Sequence, residues 1–283
     1  PQEGIITADY PLMLINSDKR EQYETLVTYL RSPEFQEELM ERTLRRPVIP
    51  QVQPSAKFPD QLLVELPFPN SLDVIDQLIF AYLDEQRVPS HAIFVLDVSG
   101  SMEGDRLDDL KSALTNLTGL DTSLTGRFAR FRNRERITMV AFSNDVQDLQ
   151  TFEIDDQTSQ SASMQGIRSY VESLEADGGT AIFTALDFAY QLATKAHKQD
   201  PERYYSIVLM SDGENTDGIS EGQFLSAYKS LPEEIRDIKT FTILFGRADR
   251  ETMESIAETT GGRMFDAQSE SLSIIFKQIR GYQ

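Results

Sequence analysis

From Ala92 onward the chain alternates short apolar runs with segments in which apolar residues recur every three or four positions. The short runs predict strands over 92–96, 137–142, 146–154, 205–210, 238–245 and 263–265. Helical spacing fills most of the intervals, over 105–117, 162–174, 181–196, 221–229, 249–259 and 272–282. Alternation of this kind predicts an α/β fold: a doubly wound, mostly parallel six-stranded sheet covered by helices on both faces. The run 146–154 follows its predecessor after residues 143–145 alone, too few for a crossover, so it is expected as one antiparallel edge strand.

Upstream the pattern differs. A strand-like run over 4–16 precedes helical patterns over 18–32 and 33–44, the first carrying Tyr23, Leu26, Val27 and Leu30 behind Ser17 or Asp18 as N-cap. This small N-terminal α/β segment has too little apolar surface to fold alone and is expected to pack against a neighbour. Pro47, Pro50, Pro54, Pro59, Pro67 and Pro69 are half of the 12 prolines, and each fixes φ and removes a donor, so that stretch reads as an extended linker. Ser71 then opens a helix with Leu72, Ile75, Leu78, Ile79 and Leu83 on one face, ending near Arg87 and Pro89. The expected organisation is a fragment over 1–52, a Pro-rich linker with connecting helix over 53–89, and the α/β domain over 90–283.

Composition removes several chemistries. The 283 residues include no Cys, so disulfides, thiolate nucleophiles and Cys-ligated zinc or iron–sulfur sites are excluded, and two His cannot form a three-His metal centre. With 27 Lys+Arg against 46 Asp+Glu the net charge is −19, which repels phosphate backbones and argues against a nucleic-acid partner. Arg127, Arg130, Arg132, Arg134 and Arg136, interleaved with Phe128 and Phe131, accordingly read as a solvated helix end whose two Phe face the core. His91 and His197 are expected on the surface, His91 far from the strand ends that carry the candidate chemistry. The longest apolar run, residues 78–83, is far short of the roughly 20 that span a bilayer. A chain that opens on Pro1 leads us to expect something upstream, where a signal peptide or membrane anchor would lie.

In a doubly wound sheet, ligands bind beyond the carboxyl ends of the strands, so those residues carry the candidate chemistry. The strand ending at Leu96 runs into Asp97-Val98-Ser99-Gly100-Ser101, alternating a carboxylate with two hydroxyls. Asp177-Gly178-Gly179-Thr180 precedes a helix, and Ser211-Asp212-Gly213 follows the apolar run 207–210. All of these groups offer hard oxygen, the ligand type of Mg²⁺, Mn²⁺ or Ca²⁺. Taken singly, Ser99 or Ser101 reads as a helix N-cap, Thr180 as the cap of the helix beginning at Ala181, and Asp212 as a turn-former. Gathered at one edge, five oxygen donors with two negative charges call for a cation. The acidic stretch 212–217 lacks the Asp/Asn and Gly positions of an EF-hand.

Asp-x-Ser-x-Ser, a Gly-Gly-Thr ending 83 residues after that Asp, and Ser-Asp-Gly 32 residues later resemble the metal-ion-dependent adhesion site of von Willebrand factor A (vWA) domains, over residues 89–283. The resemblance implies a Rossmann-like fold in which Ser99, Ser101 and Thr180 approach a Mg²⁺ or Mn²⁺ (Ca²⁺ as an alternative), while Asp97 and Asp212 hold it directly or through water. The last coordination position would take an Asp or Glu carboxylate of a protein partner. The C-terminal helix would slide on binding. Residues 1–52, with Thr7-Ala8-Asp9-Tyr10-Pro11, Arg31-Ser32-Pro33-Glu34-Phe35-Gln36 and Arg45-Arg46-Pro47-Val48, resemble the end of a bacterial extracellular solute-binding domain.

These readings together imply a non-enzymatic, cation-dependent protein-binding module of adhesion type, at the bacterial surface or in the envelope. A vWA subunit of a cytoplasmic chaperone-like or metal-chelatase assembly is the alternative, and a metal-dependent hydrolase a further one. Other enzyme readings fit less well. Ser99 stands where an aspartyl-phosphate phosphatase needs a second carboxylate, no G-x-S-x-G frame surrounds Ser99 or Ser101, and no Gly-Lys pair permits a P-loop.

Overall fold

A computed structural model describes residues 5–6, 12–58, 65–66, 69, 71–212, 214–246 and 249–282, and the chain divides into two compact units, Pro1–Gln77 and Leu78–Gln283. In the first unit, short strands β1 (Ile5–Ile6) and β2 (Glu65–Leu66) pair in parallel. A 3₁₀ turn, Ser17–Lys19, leads into helix α1 (Arg20–Leu30). Asn16 caps that turn in place of Ser17 or Asp18, because its side chain closes an Asx turn on the Asp18 amide at 2.9 Å. Helix α2 (Pro33–Thr43) starts behind Ser32, which accepts from the Phe35 amide, and ends where Leu44 adopts φ 54°. Buried Gln36 donates to the Leu30 carbonyl at 2.7 Å and accepts from the Val48 amide at 2.9 Å, tying the chain after α2 back onto the helix. Of the expected strand over 4–16, Ile5–Ile6 form β1, residues 12–16 are irregular, and Gly4 and Thr7 to Pro11 lie outside the described residues, as do Pro59 and Pro67. The connecting helix is α3 (Leu72–Ala81), prolonged by a π-helical turn, Tyr82–Gln86.

The second unit is built on strands β3 (Ser90–Asp97), β4 (Arg136–Phe142), β5 (Val146–Glu153), β6 (Tyr204–Ser211), β7 (Lys239–Leu244) and β8 (Met264–Asp266). They lie in the order β5-β4-β3-β6-β7-β8, all parallel except β5, which pairs antiparallel with β4. Helices α4 (Asp105–Thr115), α5 (Leu124–Ala129) and α6 (Ala162–Glu172) cover one face. Helices α7 (Ile182–Gln199), α8 (Glu221–Lys229), α9 (Glu233–Arg236) and α10 (Arg250–Thr259) cover the other, and α11 (Leu272–Tyr282) returns to the first. Along β3, Ala92, Phe94 and Leu96 enter the first core while Ile93 and Val95 enter the second. A strand apolar on both faces is what a central parallel strand requires, and each of the larger side chains, Ile93 to Leu96, contributes about 1.5–3 kcal/mol by leaving water. The six strands and the alternating helices fall where the pattern predicts; the short helices α5 and α9 were not anticipated.

Two surface expectations are overturned. Arg132 is 1 % exposed, its guanidinium held by Asp84 at 2.6 Å and by the Arg127 carbonyl at 2.6 Å. The cause lies in α5, a helix of under two turns whose last carbonyls have no helical partner. Arg132 takes one of them, and Arg280 of α11 takes those of Ala129 and Arg130. Next to it the Glu135 carboxylate, 1 % exposed, accepts from Arg87 at 2.6 Å, from Arg280 at 2.5 Å and from the Arg132 amide at 2.9 Å. Of the two Phe, Phe131 is fully buried, and Phe128 is half-buried against Phe80. His91 is likewise buried, bonded through Nε2 to Thr138 Oγ1 at 2.9 Å, because strands pair on both sides of β3 and helices cover both faces. His197 is half-buried, and both imidazoles meet the Tyr205 ring.

Two outcomes follow from this packing. Burial, reinforced by the charges of Arg136 and Arg203, pushes His91 down to about 3, so the native state holds it neutral. As pH falls from about 6.5 toward 3 the unfolded chain takes up a proton that the native state refuses, and stability drops by up to about 1.4 kcal/mol per pH unit. Urea unfolding of His91→Gln between pH 6.5 and 5 should therefore show a shallower loss than wild type; parallel curves would count against a buried neutral His91. Glu135→Ala, which strands two buried guanidinium groups without their shared counter-charge, should lose about 3–5 kcal/mol in the same measurement at pH 7.

Candidate metal site

Strand order reverses at β3, with β4 on one side and β6 on the other, so the topological switch point lies beyond the carboxyl ends of β3 and β6. Asp97 closes β3 and is fully buried. Its Oδ1 accepts from the Ser99 amide at 2.8 Å and its Oδ2 from the Ser211 hydroxyl at 2.5 Å, a bond that joins the ends of β3 and β6. Burial pushes the Asp97 carboxyl up to about 6, against the opposing effect of the Ser211 and Ser99 bonds, and the charge of Asp212 adds to the rise.

The everyday roles open to the other candidates are left unfilled. Ser99 makes no side-chain cap to the 3₁₀ turn Gly100–Met102, and α4 starts behind Gly104. Instead Ser99 Oγ meets Ser101 Oγ at 3.0 Å. Thr180 does not cap α7 either: the N-cap position is Ala181, without a side-chain bond, and Asn215 Oδ1 reaches the Phe183 amide at 3.4 Å. Asp212, 2 % exposed, accepts through Oδ2 from Arg106 at 2.8 Å, while its Oδ1 is buried with no partner. A buried carboxylate oxygen left unmatched costs about 1–3 kcal/mol or more, which marks it as a place for a ligand.

Main-chain bonds lace the three loops together. The Asp177 amide donates to the Val98 carbonyl and the Gly100 amide to the Gly178 carbonyl, each at 2.9 Å. Thr216 and Asp217 amides both donate to the Thr180 carbonyl, and the Thr180 amide donates to Thr216 Oγ1 at 2.9 Å. Gly178 sits at φ 79°, and a Cβ there would meet Asn144 Oδ1 at 2.1 Å; one on Gly179 would meet Asp217 Oδ2 at 1.8 Å. The positive φ of Gly178 favours glycine there, and at Gly179 a larger residue would have to displace the Asp217 and Asn144 side chains.

The structure accordingly joins Asp97, Ser99, Ser101 and Asp212 through direct bonds and shared partners, and brings in Thr180 through its backbone. Among the described residues no three His, Asp or Glu side chains converge, so a cation here would depend on hydroxyl and water oxygens beside the two carboxylates. That donor set suits Mg²⁺, Mn²⁺ or Ca²⁺. Sequence reading missed Ser211 and Arg106. For Arg106 a signal existed: a cation in the first turn of α4 opposes the helix dipole and needs an anion to hold it.

The fold is that of a vWA domain, and the chain matches the von Willebrand factor type A domain family over residues 92–278. It belongs to that family. An uncharacterised protein of Synechocystis sp., sll0103, is 29 % identical over 202 residues, covering 69 % of this chain and 42 % of that protein. The inter-alpha-trypsin inhibitor heavy chain H4 of Sus scrofa is 28 % identical over 134 residues, covering 46 % of this chain and 13 % of its own length. The chain therefore spans less than half of these relatives. Among solved structures, a von Willebrand factor type A protein from Catenulispora acidiphila superposes with a TM-score of 0.50 at 16 % identity, over 68 % of this chain and 42 % of that one. The pilus adhesin SpaC of Lactobacillus rhamnosus GG gives 0.50 at 13 % identity, over 70 % and 31 %. These likenesses bear on fold.

Gly178→Ala should lower stability by about 1–3 kcal/mol in urea denaturation, because its φ is unfavourable to any side chain and Asn144 must move. Gly261→Ala, equally at positive φ but with open space around it, should cost less.

Proposed function

We propose that this domain is a non-enzymatic protein-binding module of adhesion type whose binding depends on one divalent cation, Mg²⁺ or Mn²⁺, with Ca²⁺ as the alternative. Asp212 through Oδ1, the hydroxyls of Ser99, Ser101 and Thr180, and Asp97 directly or through water would hold the ion. The ion, when bound, supplies an electrophilic coordination position that an Asp or Glu carboxylate of a partner protein completes. The observation that carries this reading is the buried, partnerless Oδ1 of Asp212 at an edge where the neighbouring hydroxyls serve no cap. Membership of a family typical of interaction and adhesion modules supports it. So does the placing of the only two histidines: His91 near the start of β3 and His197 in the last turn of α7 stand at the opposite end of the sheet, leaving neither as a base for the site. Among the described residues no helix is long and apolar enough to cross a membrane. We place the module outside the cytoplasm, in a longer bacterial parent whose preceding part is solute-binding-like, on the resemblance of residues 1–52.

Calorimetric titration with Mg²⁺ and Mn²⁺ should reveal one site, weakened at least about tenfold in Asp212→Ala and in Asp97→Ala, with thermal unfolding still cooperative. Unchanged metal affinity in both variants would sink the assignment. Hydrolysis of phosphate or ester substrates that depends on Mn²⁺ and on Asp97 would overturn the non-enzymatic reading.

A further inference from the structure

Arg106 is held at three points. Its Nη1 donates to Asp212 Oδ2 at 2.8 Å and to the Ser101 carbonyl at 2.7 Å, so one group bridges the first and third loops of the site. Its guanidinium also lies against Gly246 beyond the end of β7, where a Cβ would come within 3.1 Å of Nε and 3.3 Å of Cζ. Gly246, at φ 99°, leaves that space open. The side chain remains 43 % exposed, and among the described residues its fork has no further hydrogen-bond partner. The bond to Oδ2 turns the other oxygen of the same carboxylate, Oδ1, into the partnerless one.

From this geometry, and resting on the cation site proposed above, we infer that Arg106 sets the charge of the loaded site: it weakens the hold on the cation and strengthens the hold on the carboxylate that completes it. The count is simple. A divalent cation with the Asp97 and Asp212 carboxylates sums to zero, and the fixed Arg106 guanidinium makes it +1. One partner carboxylate then neutralises the site. Without Arg106 the loaded site is already neutral, and a further carboxylate brings uncompensated charge into a place where Asp97 and Asp212 are out of water. Arg106 is thus a positioning and specificity residue: it aims Asp212 and sets the site to demand an anion. A neutral hydrogen-bonding ligand would gain less from it than an anion does.

Arg106→Gln keeps a hydrogen-bond donor and removes the charge; Arg106→Lys keeps the charge and loses the planar fork. Mn²⁺ affinity is measured by calorimetry at fixed ionic strength, and acetate binding to the Mn²⁺-loaded protein by water-proton relaxation. In Arg106→Gln, Mn²⁺ should bind about three- to tenfold more tightly and acetate more weakly by a similar factor. Arg106→Lys should keep the cation affinity within about twofold of wild type. Mn²⁺ binding in Arg106→Gln that is unchanged or weaker, or acetate binding that does not fall, would overturn the charge-setting role while leaving the cation site standing. A wild type that binds no Mn²⁺ would overturn both.

Discussion

Two carboxylates stand out of water at the ends of adjacent strands, and the architecture of this domain follows from having to keep them there. Asp97 and Asp212 are 0 % and 2 % exposed. Two buried anions so placed repel one another and forgo hydration, a cost that only a full set of donors or a cation removes. The Ser99 amide, the Ser211 hydroxyl and Arg106 satisfy three of the four oxygens. Those donors can be in place only if β3 and β6 are neighbours and the loops beyond them are pinned. The sheet order and the glycines that let the loops touch are thus conditions on the same pair of charges.

Charge is distributed with a polarity along the strands. At the site end the buried ionised groups are acidic. At the other end, where β3 and β4 begin, buried Arg87 and Arg132 and the largely covered Arg280 surround Glu135 and Asp84. Burial lowers the Arg87 and Arg132 pKa values from their ordinary range, yet each retains a carboxylate partner. A protein of net charge −19 has therefore placed several of its scarce cations inside its base, where they close the carbonyls of a short helix and fix the last helix. That use is structural, and it agrees with the absence of any call for phosphate recognition in the overall charge.

Sequence made the sheet, and the grouping of most candidate side chains at its carboxyl edge, legible for one reason: both depend on local patterns. Alternation of runs announces strands and crossovers, and Asp97, Ser99 and Ser101 are packed into five consecutive residues. What stayed hidden depends on partners distant in the chain. Ser211 was one hydroxyl among many until β6 lay beside β3, and Arg106 was one more helix cation until Asp212 arrived above it. His91 was read as exposed because its strand's central place is a property of the strand order. Arg132 was read as solvated because Asp84, the carboxylate that pairs with it, lies 48 positions away in the chain.

The bond between Ser211 and Asp97 joins residues 114 positions apart, and that between Arg106 and Asp212 joins residues 106 apart. Closing loops of that length is entropically slow, and parallel pairing between β3 and β6 must precede both. The site at these strand ends consequently needs the pairing of β3 with β6, and no fragment ending before Asp212 contains it. Anything that binds there is linked by mass action to the completed sheet alone, so its occupancy reports on tertiary assembly and cannot template it.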